Sequence, residues 1–267
     1  MRNPMVFVAA ALFVLASAVI PAAAQQKESA CTQIGICYCF NTAVKAAIDK
    51  NVAYFRAEIA KQRAAGKAIG YLSLPLSSSG GGVYHINAEV SAAAKAAVEK
   101  RFGVEQVWVT NPAVPESEIP NGGGADYMLM WTQIMEGTDG MGAFDFAYFV
   151  GPTDFGRFLG LSGTGDMATI EAYFDKRLAT DAELKKSVDK GLTKQQFRNY
   201  YALRASATIS RGAHDEWNII KVLNEKRRAD PKLGIPNQIS VLFDGQGRSP
   251  ADMEGGTSSG YTGKCGS

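Results

Sequence analysis

The run Ala68-Ile69-Gly70-Tyr71-Leu72-Ser73-Leu74-Pro75-Leu76 is nearly continuous in apolar residues and empties into Ser77-Ser78-Ser79-Gly80-Gly81-Gly82. A strand apolar on both sides is one covered on both faces, as in a parallel sheet. The same rhythm returns downstream. Residues 106–110 read as a second strand broken by Asn111-Pro112, and residues 144–150 as a third that ends at Gly151-Pro152-Thr153-Asp154. Helical patterns fill the intervals: one capped by Asn87 and running to Arg101, and one over 125–135 after Gly122-Gly123-Gly124. A helix over 41–64, stopped by Gly66, precedes them, and residues 238–245 supply a last strand. Alternation of this kind predicts an α/β fold, a Rossmann-like open parallel sheet flanked by helices. Ligands of such sheets bind at the carboxyl ends of the strands. There Ser73, Ser79, Gly81, Asn111 and the turn through Asp154 are expected to gather. The glycine-rich loop matches neither the dinucleotide fingerprint nor the phosphate-binding P-loop, so an anion-binding turn and a plain surface loop both fit it.

Residues 155–207 interrupt the alternation with a helical insertion: 167–178, 181–190 and 193 to about 207, the last with Phe197, Tyr200, Tyr201 and Leu203 on one face. It reads as a cap over the α/β domain of residues 67–245. The tail, 246–267, is rich in Gly, Ser and Thr and predicts little regular structure.

Residues 1–24 have the form of a secretory signal: Arg2, an apolar run from Met5 to Ile20, and Ala22-Ala23-Ala24 before Gln25. A periplasmic or secreted protein is expected, with no membrane span once the signal is removed, because no second run of that kind follows. In an oxidising compartment Cys31, Cys37, Cys39 and Cys265 form two disulfides. A one-residue spacer strains a Cys37–Cys39 bridge, so Cys265 should pair with one of the first three and tether the tail to the N-terminal segment, 25–66. A metal site is the sharper reading of Cys-x-Cys, but without a second Cys or His pair the motif is a weak signal, and neither metal nor cofactor is expected. The net charge of +2 includes Arg2 and leaves no basic face for nucleic acid. A small-molecule partner is expected at the carboxyl ends of the strands.

The stretch Ser210-Arg211-Gly212-Ala213-His214-Asp215-Glu216-Trp217 opens a helix whose apolar face continues through Ile220 and Leu223. A Ser/Gly turn there presents free backbone N–H groups, which makes Gly212 a candidate for ligand contact. Asp215 and Glu216 read as first-turn charges that suit the helix dipole, as Lys226-Arg227-Arg228 do at the other end. A carboxylate beside such a turn is either a favourable charge or a reagent. His214 is a minor acid/base candidate.

Tyr71-Leu72-Ser73-Leu74-Pro75-Leu76 resembles the first strand of the nucleoside 2-deoxyribosyltransferase family, Thr110-Asn111-Pro112 the end of its second strand, and Asp145 with Phe146-Ala147-Tyr148-Phe149 its third. Ser210 to Glu216 is similar to the family's Ser/Thr-x-Gly turn that leads to a catalytic glutamate. The resemblance does not reach the cysteine segment or the insertion, and Leu74-Pro75 departs from the family's glycine-proline. It implies that Glu216 is a nucleophile toward an N-glycoside, that Tyr71 orients it, and that Asp145 or Asp154 protonates the leaving base. The ligand would be a nucleoside or a sugar-like molecule. The rivals are a non-catalytic periplasmic binder of nucleotides, nucleosides or sugars, and an envelope interaction protein working through its insertion.

Overall fold

The computed structural model describes residues 26–203, 209–249, 251–252 and 255–266. The proposed signal segment lies outside them, as does the end of the third insertion helix. Among the described residues no helix is long and apolar enough to cross a membrane. A hairpin of β1 (Lys27–Cys31) and β2 (Cys37–Asn41) comes first. It leads through a 3-10 turn into α1 (Lys45–Ala64), which therefore starts later than the expected residue 41 because Asn41 turns its side chain onto the Ala43 N–H. Then come β3 (Ala68–Ser73), α2 (Tyr84–Phe102), β4 (Val107–Thr110), α3 (Gly124–Met135) and β5 (Phe146–Phe149). Next come α4 (Pro152–Leu159), α5 (Asp166–Thr180), α6 (Ala182–Asp189) and α7 (Lys194–Leu203). The chain closes with α8 (Arg211–Ala229), β6 (Ser240–Phe243) and β7 (Gln246–Arg248).

The main sheet has the order β4-β3-β5-β6-β7. Its first four strands are mutually parallel, and only β7, a short strand in the tail where none was expected, runs antiparallel. Side-chain alternation along β3 divides the core. Ile69 and Tyr71 face the apolar layer built by the hairpin, α1, α3 and α8, whereas Leu72 and Leu74 face the layer built by α2 and α4–α7. The sheet is thus covered on both faces, which is why β3 is apolar up to Ser73.

Asn87 is a correction to the expected cap. The helix begins one turn earlier at Tyr84, and Asn87 is fully buried, accepting the Tyr201 hydroxyl and donating to the Tyr200 hydroxyl. That pair ties α2 to α7. Two disulfides, Cys31–Cys37 and Cys39–Cys265, staple the hairpin and join it to the tail.

Candidate functional site

Ser210 caps α8, its hydroxyl accepting the Ala213 N–H at 3.2 Å. The helix starts at Arg211, so Asp215 and Glu216 fall beyond its first turn and do not serve the dipole as expected. Adjacent residues on a helix point about 100° apart. Asp215 consequently meets the tail, and Glu216 meets β3.

Glu216 is 7% exposed. The Tyr71 hydroxyl donates to its Oε1 at 2.6 Å and the Ser73 hydroxyl to its Oε2 at 2.5 Å. Residues two apart on a strand share a face, so the carboxyl end of β3 supplies both donors at once. The Tyr71 ring is itself wedged edge-on between Trp131 and Phe144, centroids 5.7 and 5.2 Å away, which fixes its hydroxyl. Burial pushes the Glu216 carboxyl up from the ordinary 4.5 to about 7; the two hydroxyl donors oppose that rise, and the neighbouring Asp215 charge adds to it. Tyr71 is driven well above the usual phenol range, first by burial and then by the Glu216 charge. Glu216 therefore changes charge near neutrality while Tyr71 remains a donor.

Glu216 forms part of the wall of a cavity of about 490 Å³. Ser77 and Ser78 of the glycine-rich loop, Gly122 to Gly124 before and at the start of α3, and Ser210 and Gly212 supply polar edges, while Tyr84, Tyr127, Trp131 and Tyr261 supply rings. Among the described residues lining it, Glu216 is the only carboxylate. The loop is held from behind: Gly81 adopts φ +104° and lies so close to the Gln196 carbonyl of α7 that a Cβ there would sit 2.3 Å from it.

The structure places Gly212 and Glu216 on the wall of this cavity, bonds the fully buried Tyr71 and Ser73 to the Glu216 carboxylate, and distributes the other sequence candidates elsewhere. Ser79 bonds to Ser77 within the loop, and Gly81 backs onto α7. Asn111 accepts the Ser91 hydroxyl at 2.6 Å and the Ala113 N–H at 2.9 Å. His214 points to Ser258, 2.9 Å away, and lines a separate cleft with Trp217 and Phe243. Asp145 lies at the amino end of β5, where it accepts the Ile69 N–H at 2.7 Å and pairs with Arg63. Asp154 accepts the Gly151 N–H as a cap of α4 and the Tyr148 hydroxyl at 3.0 Å. Tyr148 pairs with Leu72, so this second carboxylate sits on the opposite face of the sheet, in a groove with Arg101, Arg157 and Asp244. Burial raises its pKa as well, against the hydrogen bonds that lower it.

The aromatic lining and Asp215 were not among the sequence candidates. Asp215 is 1% exposed and accepts three tail donors: the N–H groups of Gly260 and Tyr261 at 2.8 and 2.6 Å, and the Thr262 hydroxyl at 2.9 Å. A lone tyrosine in a Gly/Ser/Thr tail near a bridged cysteine was the available signal for Tyr261. Among the described residues no group of three or more His, Cys, Asp or Glu side chains is placed to hold a metal ion. No family model matches this chain, and searches of curated proteins and of solved structures return no match either.

Proposed function

We propose that this chain is an exported N-glycoside-processing enzyme of the nucleoside deoxyribosyltransferase or hydrolase type, built on a Rossmann-like sheet with a helical insertion, and that Glu216 is its nucleophile. One observation carries the reading: a buried carboxylate, gripped by Tyr71 and Ser73 at the carboxyl end of β3, opens on a concave, ring-lined cavity. The resemblance of β3 and of the Ser210–Glu216 turn to that transferase family supports the same chemistry, and the disulfides are compatible with export of the chain past residues 1–24.

A Glu216 carboxylate oxygen bonds to the anomeric carbon while the C–N bond breaks, its electron pair leaving with the base, which takes a proton from water. Hydroxide then displaces the glutamate from the sugar, giving net hydrolysis; a second base in its place gives transfer. Tyr71 and Ser73 orient the attacking carboxylate. With its pKa near 7, Glu216 reaches the ionised, nucleophilic form through neutral pH.

A specific observation favours a second reading. With no other carboxylate and no histidine beside Glu216 among the described lining residues, only tyrosine hydroxyls could protonate the leaving group, which suits a binder that holds a nucleoside or sugar without cleaving it. Chromatographic release of free base from a nucleoside panel, by the oxidised mature chain beside Glu216→Ala, separates the two. Release that disappears in the variant supports the enzyme. No release from any substrate, with both chains folded and the native chain stabilised by a nucleoside, favours the binder.

A further inference from the structure

The tail from Thr257 to Cys265 is coil, yet it is anchored along its length. Asn218 and Thr257 exchange two hydrogen bonds at 2.8 and 2.9 Å, and Ser258 meets His214. Asp215 takes three donors from Gly260 to Thr262, and Arg211 donates to the Gly260 carbonyl. Beyond them Gly263 donates to the Cys37 carbonyl at 2.8 Å, Cys265 N–H bonds to Ser29, and the Cys39–Cys265 bridge closes a separation of 226 residues. Burying a carboxylate is costly unless donors compensate it, and here the donors all come from the tail. What this anchorage positions is one ring. Tyr261 lies under the Arg211 guanidinium, 4.5 Å from the ring centroid, and against Gly124, where an added Cβ would come within 2.2 Å of it. From there it lines the Glu216 cavity.

We propose that the tail is a built wall of the Glu216 cavity and that Tyr261 is its specificity-determining residue, limiting the size of the planar group the cavity admits. Asp215 precedes Glu216 in the same helical turn, so the residue that fixes the wall and the residue that presents the carboxylate are set by one element. The Cys39–Cys265 bridge clamps the far end. This inference rests on Glu216 being the functional centre. The Thr257–Cys265 segment, which contributes neither helix nor strand, thus decides what reaches that centre.

The test uses the full oxidised mature chain with Tyr261→Phe and Tyr261→Ala. Two probes need no catalysis: thermal stabilisation by adenine against N6-benzyladenine, and titration of the Glu216 carboxyl by carbon NMR, assigned with Glu216→Gln. Truncation to alanine is expected to shift the preference toward the benzylated base about tenfold and to lower the Glu216 midpoint toward the ordinary carboxylate range as water enters, since hydration favours the charged form. Tyr261→Phe keeps both readouts near native. Should the alanine chain fail to fold, Tyr261→Leu retains an apolar contact on Gly124 with a shorter reach and carries the same expectation. A folded Ala or Leu chain with native base preference and native Glu216 titration overturns the proposal. If neither base stabilises any chain, the nucleoside reading is what fails, and the titration alone judges the wall.

Discussion

Replacing Glu216 by Gln should remove a specific pH dependence of stability. In the folded chain the carboxyl holds its proton up to about pH 7, whereas the unfolded chain releases it near 4.5. Between those values the native state binds one more proton than the unfolded state, so its stability falls as pH rises. The contribution is fully present below about pH 4.5 and lost above about pH 7. At 1.36 kcal/mol per pH unit this amounts to about 3 kcal/mol for a group buried as Glu216 is. A glutamine cannot ionise, and its interaction with the Tyr71 and Ser73 hydroxyls is constant over the window. The native chain should therefore lose about 3 kcal/mol relative to Glu216→Gln between about pH 4 and pH 8. Urea unfolding with disulfides intact, followed by tryptophan fluorescence in small pH steps, measures it, and the difference between the two chains cancels the other titrating groups. A difference curve flat to within about 0.5 kcal/mol would refute the reasoning, because Glu216 would then titrate alike in both states.

Three further outcomes follow from the same contacts. Tyr71→Phe removes a donor to the ionised carboxylate worth about 1.5–3 kcal/mol, so the Glu216 midpoint should rise by about one to two pH units in an NMR titration, and any fall would contradict the geometry. Asp154→Ala should cost about 1–3 kcal/mol, through loss of the α4 cap and of the acceptor for the buried Tyr148 hydroxyl, yet leave base release within about twofold, because Asp154 lies on the other face of the sheet; a loss of activity with the fold intact would restore it as a catalytic acid. Replacing both Cys39 and Cys265 with Ser should lower stability by about 2–5 kcal/mol in thermal or urea unfolding, since the bridge restricts a long loop in the unfolded chain. A stability equal to the native chain's would mean that the non-covalent anchors already hold the tail.

The apolar runs at β3, β4, β5 and β6 were legible because a strand covered on both faces must be apolar throughout, and each was bounded by glycine or proline. Ser210 as a helix cap was equally legible. The strand ends were less so: β5 begins at Phe146 rather than 144, although the Asp145 backbone already bonds to Ile69 and Ser240 and its side chain accepts the Ile69 N–H. The tail's β7 escaped notice, being only three residues long and formed against β6 alone.

The sequence by itself determined the parallel alternation, the polar turn before α8 and the tethering of the tail by a cysteine, since all three follow from local periodicity, capping chemistry or bridge geometry. Which carboxylate reaches the sheet was decided only in three dimensions. Asp215 and Glu216 are equivalent in composition and adjacent in the chain, but their directions differ by about 100°, so one is given to the tail and the other to β3. Asp145 and Asp154 flank the same strand, and the sheet assigns one to its amino end and the other to its far face. Tyr261 lies 45 residues beyond Glu216 and shares its cavity through hydrogen bonds and a disulfide to elements distant in sequence. Such long-range contacts leave no local signature for periodicity to reveal.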